Sequence, residues 1–590
     1  MFSRRSFVGG SSLFAMSLGL GGIAMAEGEA HLADLDFTKS SDAHAVTGKL
    51  RYVRHEVFGG PVGIIIEDAA TNGVEDAGYS QPASPPGGWR MPAEFNPAAP
   101  CTATFTKTGK GRGLLRLQGN QAGEFHVVLG SGRHFSIAAG ESLTGSMAIR
   151  LAGGSSSNLK GVSLVILEND AEGKVANKTP PTAPIQQLQT DKAWWAEVRA
   201  VAGGYRYANL AIKIVVTAAF DLTFEINDPQ LEKRSWRSSY CVASREADRV
   251  SLAADLQKNY LGAPERSLIV TADMPRFSAN GSLWSEYRDS KNFIAVERRG
   301  WALYARVMRD GASHEIRLGL VPPLMRFSVA LVIGETSLTA SLNGKSPVAL
   351  KGEMPRGLTM TRLGAGSTGI WNSTIQRLIL YRARIADCAR ASRPPDAFFD
   401  DFDRPDSASL GTSPTGQSII WFGTATSRIA GKKWVADAGS WALAHASYGK
   451  ITLPAVPRYM GTVLNWTSGR EEGGAGLLAV TADLPSPIDG LHTIVCDNRE
   501  IFQTITSSTV DAPLANFYYP VPMKRDGTTV YGVARLLNVA EKAVVFVGPD
   551  GELARHVHET YVSRAGKIAV FEHYWQIGQC RPEFLAVAAL

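Results

Sequence analysis

The sequence is poor in cysteine and has no long apolar run. Its five cysteines are spread over 590 residues, and none belongs to a C-x-x-C pair, so neither a dense disulfide framework nor a zinc site is indicated. Beyond residue 26 no continuous apolar stretch reaches the roughly 20 residues of a membrane-spanning helix. These absences exclude a small disulfide-stapled fold and predict a mature protein without a transmembrane anchor.

A surplus of charge is also lacking, as are the common catalytic motifs. The formal net charge is only +6, which over this length argues against a dedicated nucleic-acid surface. No G-x-S-x-G elbow, Walker loop, dinucleotide fingerprint or H-E-x-x-H helix occurs. Catalysis stays open all the same, because glycosidase and lyase sites on jelly rolls assemble from scattered strands.

The N-terminus contains the three parts of a twin-arginine export signal. Arg4 and Arg5 lie in a short charged segment, a Gly-rich apolar stretch runs to about Ile23, and Ala24-Met25-Ala26 forms a small-x-small cleavage site. The apolar stretch is too short and too rich in Gly and Ser to serve as an anchor. We therefore expect residues 1–26 to be removed from a bacterial protein that is periplasmic, cell-surface or secreted.

Short β-rich runs between turn residues predict an all-β chain. The 59 Gly and 30 Pro fit numerous turns between short strands. Residues 327–333 are expected to pair with residues 337–342, ahead of the strong turn dipeptide at 343–344. Only residues 245–260 could form a short helix. The fold class is therefore expected to be tandem jelly-roll and concanavalin-A-like β-sandwich modules.

The length predicts three or four domains rather than one core. A Pro-rich stretch at residues 79–100 reads as a linker. The expected order is a signal peptide at 1–26, an N-terminal segment and linker at 27–100, a jelly roll at 101–248, a sandwich at 249–392 and a second sandwich at 398–590.

Several strings resemble the modular β-sandwich proteins of phage tails and prophage-type surface proteins. LDFT at 35–38 followed by GIIIEDAATN at 63–72 is similar to the opening of such proteins, and NDPQLE at 227–232 is similar to the end of their carbohydrate-binding-module-like jelly roll. Residues 249–392 resemble a laminin-G or concanavalin-A-like sandwich, and the third module resembles another. The resemblance implies a fold and a glycan-facing role more than a reaction. The export signal departs from structural phage proteins.

Aromatic residues on predicted strands are the main candidates for ligand contact. Alternation that directs Val198 into the core directs Trp195 outward, and the same argument places Tyr205 and Tyr207 outside the following strand. Aromatic rings beside polar side chains suit sugars, whose apolar faces stack. The alternative is that these rings pack against a neighbouring module. The predicted ligand-binding residues are Trp195, Tyr205, Tyr207, Trp284, Tyr287 and Trp371.

Three acidic or histidine clusters offer weaker chemistry. Calcium could bind the carboxylates at the start of the third module, which are Asp400, Asp401, Asp403 and Asp406. The paired carboxylates of a glycosidase could come from Glu286, Asp289 and Glu297, although the ExDxxE strand pattern is absent. Zinc could bind His556 and His558 on one strand face. Solvated or structural roles are favoured for all three clusters, so no metal or cofactor is predicted, and calcium is kept as an alternative.

A disulfide between Cys101 and Cys241 is expected, since the two residues bracket the jelly roll. First and last strands of such a fold can lie side by side, and the Cα atoms would then have to lie within about 7 Å.

The preferred function is that of an exported, non-catalytic protein that binds polysaccharide or mediates surface adhesion. The alternatives are a glycan hydrolase or lyase on a concanavalin-A-like jelly roll, and a structural spacer without a ligand.

Overall fold

The protein is described here by a computed structural model. The described ranges are 31–92 without 39–44, 49, 55–60 and 81–84; 101–394 without 186–187 and 189–193; and 397–588 without 424–426, 437–446, 454–455, 467–473, 481–489, 496–498, 507–508, 511–514, 519–522, 525, 539–542, 549–552, 558–567 and 575–579. The predicted export signal and most of the predicted linker lie outside these ranges. No described helix has the length and apolar character to cross a membrane.

Strands dominate all three parts of the described chain, and their pairing is antiparallel. The N-terminal strands are β1 His31–Asp36, β2 Val46–Thr47, β3 Tyr52–Arg54, β4 Pro61–Ile66 and β5 Ala70–Thr71. The jelly-roll strands are β6 Cys101–Gly109, β7 Arg112–Gly119, β8 Gly123–Val128, β9 Phe135–Ser136, β10 Ser142–Gly154, β11 Leu159–Asn169, β12 Thr182–Pro184, β13 Trp194–Val201, β14 Tyr207–Val216 and β15 Phe220–Glu232. A 3-10 turn covers Ser156–Asn158.

The second sandwich follows two short connecting strands, β16 Ser244–Arg245 and β17 Ser251–Leu252, and the helix α1 Ala254–Leu261. Its strands are β18 Arg266–Asp273, β19 Gly281–Asp289, β20 Asn292–Arg299, β21 Ala302–Arg309, β22 Ala312–Leu320, β23 Arg326–Ile333, β24 Ser337–Leu342, β25 Val348–Lys351, β26 Met360–Leu363, β27 Ala365–Gly366, β28 Gly369–Ile370 and β29 Ser373–Tyr381. The short helix α2 Cys388–Ala391 comes next.

The third sandwich contains the remaining strands. They are β30 Ala397–Asp400, β31 Ile420–Gly423, β32 Ser427–Ile429, β33 Trp434–Ala436, β34 Ser447–Thr452, β35 Tyr459–Trp466, β36 Gly474–Val480, β37 Gly490–Val495, β38 Arg499–Thr506, β39 Thr509–Val510, β40 Ala515–Tyr518, β41 Val530–Asn538, β42 Ala543–Val547, β43 Leu553–Val557, β44 Ile568–Tyr574 and β45 Cys580–Ala588. They form a sheet of order β30-β45-β35-β41-β42-β43 and a sheet of order β31-β34-β44-β36-β37-β38-β39, in which β40 also pairs with β38.

The jelly roll has two facing sheets and a core of its own. One sheet has the order β13-β10-β15-β7-β6, and the other has the order β12-β11-β14-β8 with β9 beside β14. Alternate residues of each strand meet between the sheets, and Leu115, Leu164, Ile212 and Phe224 are fully buried there. This pattern confirms the all-β expectation.

The second sandwich includes strands from the N-terminal segment. Its larger sheet runs β25-β24-β23-β18-β29-β4-β3, with β1 also paired to β29, and it faces the sheet β22-β21-β20-β19-β26. The described strands β1, β3 and β4 of the N-terminal segment belong to this sheet, whose other members lie beyond residue 265. The predicted pairing of residues 327–333 with 337–342 is confirmed by β23 and β24. In the sequence, the jelly roll is inserted between β4 and β18, two strands that belong to the same sheet.

The predicted helix at residues 245–260 is only partly correct. The helix α1 begins at Ala254, whereas Ser244–Arg245 pairs with β5 and Ser251–Leu252 pairs with β2. These two short ladders fix the connection from the jelly roll to the N-terminal strands. The backbone N–H and C=O groups of these two short strands pair with β5 and β2 of the same chain rather than within a longer helix.

The second and third sandwiches share one hydrophobic core. Phe399 and Val545 of the third sandwich belong to the same buried cluster as Trp301 of the second. The hydroxyl of Tyr459 donates to the carbonyl oxygen of Pro323 at 2.7 Å. A Cβ atom added to Gly532 would lie 2.7 Å from Cδ of Pro323, so this contact requires glycine.

The predicted disulfide between Cys101 and Cys241 is wrong, because both thiols are free. Cys101 begins β6 and pairs with Gly119, whereas Cys241 lies in a cavity beside Gly109 and Arg112 at the other end of the same hairpin. A nine-residue strand is about 30 Å long. The two cysteines are therefore separated by about the length of β6, well beyond the roughly 7 Å between Cα atoms that a disulfide allows.

Candidate functional site

A cleft of about 380 Å³ lies where the jelly roll meets the second sandwich. The jelly roll contributes the start of β13 and residues 236–240, which follow β15. The second sandwich contributes residues 273–277 after β18 and residues 372–374 at the start of β29. The cleft is therefore built from chain segments that are far apart in the sequence.

Trp195 is the exposed aromatic residue of the cleft. It lies on β13, an edge strand, and its side chain is 41% exposed while that of Val198 is 4% exposed. The guanidinium carbon of Arg237 lies 3.9 Å from the centroid of the indole ring. A cation at this distance is attracted by the ring quadrupole. The contact holds the indole in one orientation beside the cleft.

A second aromatic pair joins the two modules. The rings of Trp236, from the jelly roll, and Phe277, from the second sandwich, stack at a centroid distance of 3.9 Å and an interplanar angle of 12°. Both residues line the cleft. Trp236 is half-buried, so this stack forms a wall rather than a free surface.

Glu197 lies beside the cleft among three arginines. Its carboxylate is 2.6 Å from Arg199, 3.0 Å from Arg276 and 4.0 Å from Arg237, and its side chain is only 10% exposed. Burial by itself would raise the pKa of this carboxyl, but the three guanidinium charges outweigh it and lower the pKa to about 2. Arg276 comes from the second sandwich, so this ionised cluster ties the modules together.

Glu67 anchors the opposite wall of the cleft. Its carboxylate accepts hydrogen bonds from Arg51 at 3.0 Å and from the backbone N–H of Ser239 at 3.0 Å, and it forms an ion pair with Arg245 at 3.2 Å. Asp273, a further lining carboxylate, accepts from Arg326 at 3.1 Å and from the hydroxyl of Thr374 at 2.6 Å. Both carboxylates are therefore occupied by structural partners.

Asp228 is the lining carboxylate with a different environment. It adopts a left-handed backbone conformation with φ of +51° and also borders the smaller cavity that holds Cys241. Burial raises the pKa of its carboxyl, and the charges of Arg112 and Arg237 oppose that rise only in part. Asp228 thus favours its neutral form more than an ordinary aspartate does.

Trp195, Tyr205 and Tyr207 do not form one surface. Trp195 lies near the start of β13, whereas Tyr205, which is 37% exposed, follows its end. The six residue steps from Trp195 to Val201 span about 20 Å of strand. Tyr207 is half-buried and begins β14 of the other jelly-roll sheet. The structure does not bring the three rings together, and of the three only Trp195 lines the cleft.

The candidates of the second sandwich also lie apart. Trp284 and Trp371 are fully buried in its core, so neither is accessible to a glycan. Their indole N–H groups donate to the Glu286 carboxylate and the Asp273 carbonyl oxygen, at 3.2 Å each. Tyr287 is half-buried on the outer face of β19. Both tryptophans are structural, because Trp284 on β19 and Trp371 between β28 and β29 fill the core of the sandwich.

The three carboxylates considered for hydrolysis do not face one another. Glu286 is opposite Ile294 on β20, and Glu297 is three residues further along β20, so the two side chains point to opposite faces of the sheet. Glu286 forms an ion pair with Arg266, and Glu297 accepts from Ser367 at 2.7 Å. Asp289 lies exposed at the end of β19. The pair geometry of a glycosidase is not present in this group.

The acidic cluster at the start of the third module is engaged by cations and backbone groups. The contacts are Asp400 with Arg404 at 2.5 Å, Asp401 with Lys345, Asp403 with Lys432 at 3.0 Å, and Asp406 with the backbone N–H of Gly431 at 2.7 Å. Burial raises the pKa of Asp400 to about 6. No group of three metal-ligating side chains is found in the part of the chain that the structure describes. These contacts do not support calcium binding here.

The zinc hypothesis for His556 and His558 stays a prediction. The side chain of His556 and the whole of His558 lie outside the described residues.

Sequence reasoning found Trp195 but missed most of the cleft. Trp236 and Arg237 follow the last jelly-roll strand, and Arg276 and Phe277 follow the first long strand of the next module. Each of these pairs places an aromatic residue next to an arginine immediately after a strand. That local composition was the available signal, but only the packing of the two modules brings the pairs together.

Comparison with known proteins finds only distant structural similarities. No protein-family model and no curated protein matches this chain. Solved structures that resemble parts of it include the CBM40 module of the Ruminococcus gnavus IT-sialidase bound to α2,3-sialyllactose, at 13% identity over 22% of this chain and 84% of that chain with a TM-score of 0.20. Domain 4 of the Geobacillus stearothermophilus arabinanase AbnA, in complex with arabinotriose, is 11% identical over 25% of this chain and 73% of that chain, with a TM-score of 0.22.

The mouse laminin α1 chain, domains LG4-5, is 10% identical over 55% of this chain and 81% of that chain, with a TM-score of 0.16. Structural neighbours thus include carbohydrate-binding modules and laminin G domains. These similarities are too distant to indicate a ligand for this chain.

Proposed function

We propose that this protein binds polysaccharide without cleaving it, in the cleft between the jelly roll and the second sandwich. The observation that carries the proposal is the exposed indole of Trp195, held by Arg237 beside a cleft with polar lining atoms from Ser239 and Asn372. Sugar rings offer an apolar face for stacking and hydroxyl groups for hydrogen bonds. A cleft of about 380 Å³ is large enough for a short stretch of saccharide.

The state of the lining carboxylates favours binding over hydrolysis. A glycosidase needs two carboxyl groups that face each other across the scissile bond. Glu67 and Asp273 are held by arginines, which leaves Asp228 as the lining acid with a raised pKa. One acid without a matched partner supports recognition rather than glycosidase chemistry.

The test is affinity electrophoresis of the mature protein in gels that contain a panel of polysaccharides. On a polysaccharide that retards the wild type, Trp195→Ala should weaken binding by about 2- to 13-fold, because an aromatic contact contributes roughly 0.5 to 1.5 kcal/mol beyond area burial. Tyr205→Ala is the matched control, since Tyr205 is similarly exposed but lies at the other end of β13. It should leave the retardation unchanged.

Two results would contradict the proposal. Release of reducing ends or unsaturated sugars by the wild type would indicate a hydrolase or lyase. Equal retardation of Trp195→Ala and wild type, with equal melting temperatures, would remove the cleft from glycan binding. No retardation on any polysaccharide of the panel would favour the structural spacer.

We further infer that the protein reaches its ligand outside the cytoplasm through the twin-arginine signal at its N-terminus. Such signals are read by a receptor that depends on the arginine pair. Replacing both Arg4 and Arg5 by lysine should retain the precursor in the cytoplasm, as followed by cell fractionation. Unchanged export of this variant would contradict the inference.

A further inference from the structure

Two arginines without a carboxylate partner lie side by side on the second sandwich. The backbone N–H of Leu363, in β26, donates to the carbonyl oxygen of Val250 at 2.9 Å, and the two residues form an antiparallel bridge. Val250 and Leu363 are each 1% exposed. Since side chains alternate along extended chain, Arg249 and Arg362 point away from the core, onto the outer face of the sheet.

The positions of Arg249 and Arg362 bring two like charges together. They are diagonal neighbours across the bridge, a relation that places Cα atoms about 7 to 8 Å apart. No carboxylate forms an ion pair with either residue within the described ranges. Burial and the nearby charge of Arg249 lower the pKa of Arg362. The repulsion between the two guanidinium groups is therefore not relieved by any carboxylate of the described residues.

Two other arginines on the same sheet have carboxylate partners. Arg299 forms a two-pronged contact with Glu315, at 2.9 and 2.6 Å. Arg306 lies 3.5 Å from Glu297. Arg249 and Arg362 have no such partner among the described residues, and they are neighbours on this face.

Apolar surface lies next to the two arginines. The guanidinium carbon of Arg362 is 4.4 Å from the centroid of the Tyr287 ring. Tyr287 pairs with Met360, whose side chain is 40% exposed. A guanidinium that is stacked on a ring is pre-organised and presents its N–H groups in a fixed plane, the geometry that suits a carboxylate or sulfate.

We propose that Arg249, Arg362, Tyr287 and Met360 form a second binding surface, the basic patch, which takes the acidic group of an anionic polysaccharide. The anion is a carboxylate or a sulfate ester, which the arginines bind, while Tyr287 and Met360 contact the sugar that bears it. The ligand class rests on the proposed polysaccharide binding, but the surface is separate from the Trp195 cleft. A nucleic acid is disfavoured, because a phosphate backbone calls for a longer track of cations.

The test compares three polysaccharides on the mature protein: polygalacturonate for carboxylates, dextran sulfate for sulfate esters, and neutral dextran. Arg362→Gln and the double variant Arg249→Gln/Arg362→Gln should weaken binding of at least one acidic polymer by roughly 10-fold or more, since charge-assisted hydrogen bonds to an anion are lost. The loss should shrink at high salt. The polymer on which the loss occurs identifies the anion.

The matched control is Arg299→Gln, which removes the same charge from the same sheet where the guanidinium is already paired. It should change binding much less than Arg362→Gln. An equal effect of the two variants would show a general charge effect and overturn the proposal. So would an equal loss on neutral dextran, or comparable retention of duplex DNA that depends on the same two arginines.

The outcomes separate this proposal from the cleft. Loss of binding in Trp195→Ala with full binding in the double arginine variant would leave the cleft proposal standing and overturn the basic patch. Loss in the arginine variants alone would do the reverse. Equal melting temperatures of wild type and variants establish that folding is not the cause.

Discussion

Glu197 and Asp228 are carboxylates of one module junction whose pKa values move in opposite directions. Both are removed from water, which disfavours the charged form. Glu197 is compensated by Arg199, Arg237 and Arg276, and its pKa falls to about 2, whereas burial dominates at Asp228 and raises its pKa. The number of arginines near each carboxylate decides whether its pKa is raised or lowered.

Replacing Glu197 by Gln should destabilise the protein above pH 4.5. The lowered pKa means that the folded state holds the ionised carboxylate more strongly than the unfolded state does. Its contribution is therefore present above the unfolded pKa and is lost as the pH falls towards about 2. A shift of this size corresponds to about 3 kcal/mol. Denaturant unfolding of wild type and Glu197→Gln at pH 7 and pH 3 should show a gap that narrows at the lower pH; a gap independent of pH would contradict the assignment.

Asp228→Asn is expected to act in the opposite direction. Because the folded-state pKa of Asp228 is raised, its ionisation costs stability as the pH rises above the ordinary value of 3.8. Asparagine removes that cost and tolerates the positive φ of this position. The variant should have a higher melting temperature than wild type at pH 7 and the same one near pH 3. A lower melting temperature at pH 7 would show that the ionised carboxylate is stabilising.

Among the elements, β1 shows how far the N-terminal segment belongs to the second sandwich. β1 pairs with β29, and Phe37, just beyond it, is fully buried and donates its N–H to the carbonyl oxygen of Gln376 at 2.7 Å. A segment that folded apart from the second sandwich would not bury Phe37 in the core of that sandwich. The strand functions as part of the sheet despite its distance in sequence.

Phe37→Ala should destabilise the second sandwich by about 3 to 5 kcal/mol, the usual cost of deleting a buried phenyl group. Tyr52→Ala is the control, since Tyr52 lies on β3 of the same N-terminal segment but is 42% exposed. It should cost less than about 1 kcal/mol. Calorimetry of both variants measures the difference, and equal melting of the two would argue that β1 is dispensable.

The sequence was sufficient to predict strands with a clear alternation of side chains. It was not sufficient to predict which strands pair with one another. Alternation correctly separated Val198 from Trp195, and the run at 327–333 with its neighbour at 337–342 gave a correct hairpin. The same periodicity says nothing about which sheet a strand joins, so β1 and β4 were assigned to a separate segment. Trp284 was misjudged for a related reason: the sequence does not tell which face of a two-sided strand is covered.

At the scale of the whole molecule, the jelly roll and the second sandwich meet through a stack and an ion cluster rather than through a shared core. Their buried clusters are distinct, whereas the cluster of the second sandwich continues into the third. The Trp236–Phe277 stack and the Glu197–Arg276 ion pair are two of the contacts across the cleft. Their energies should therefore report on how tightly the two modules are coupled.

A double-mutant cycle of Trp236→Ala and Phe277→Ala should give a coupling energy of about 0.5 to 1.5 kcal/mol, the range for aromatic pairs in contact. The control cycle combines Tyr205→Ala with Phe277→Ala, two residues at separate places, and should be additive within about 0.5 kcal/mol. Unfolding free energies from denaturant titrations supply both cycles. Additivity in the first cycle would mean that this stack does not couple the two modules energetically.

The pairing of β1 with β29 also constrains the order in which the chain can fold during synthesis. Arg377, the ion-pair partner of Asp34, follows it by 343 residues. At about 5 to 20 residues per second, synthesis of that stretch takes roughly 17 to 70 seconds. The jelly roll, whose strands end at Glu232, is made entirely within this interval. Once folded, it replaces a long flexible loop with a compact body and lowers the entropy cost of closing the sheet around it.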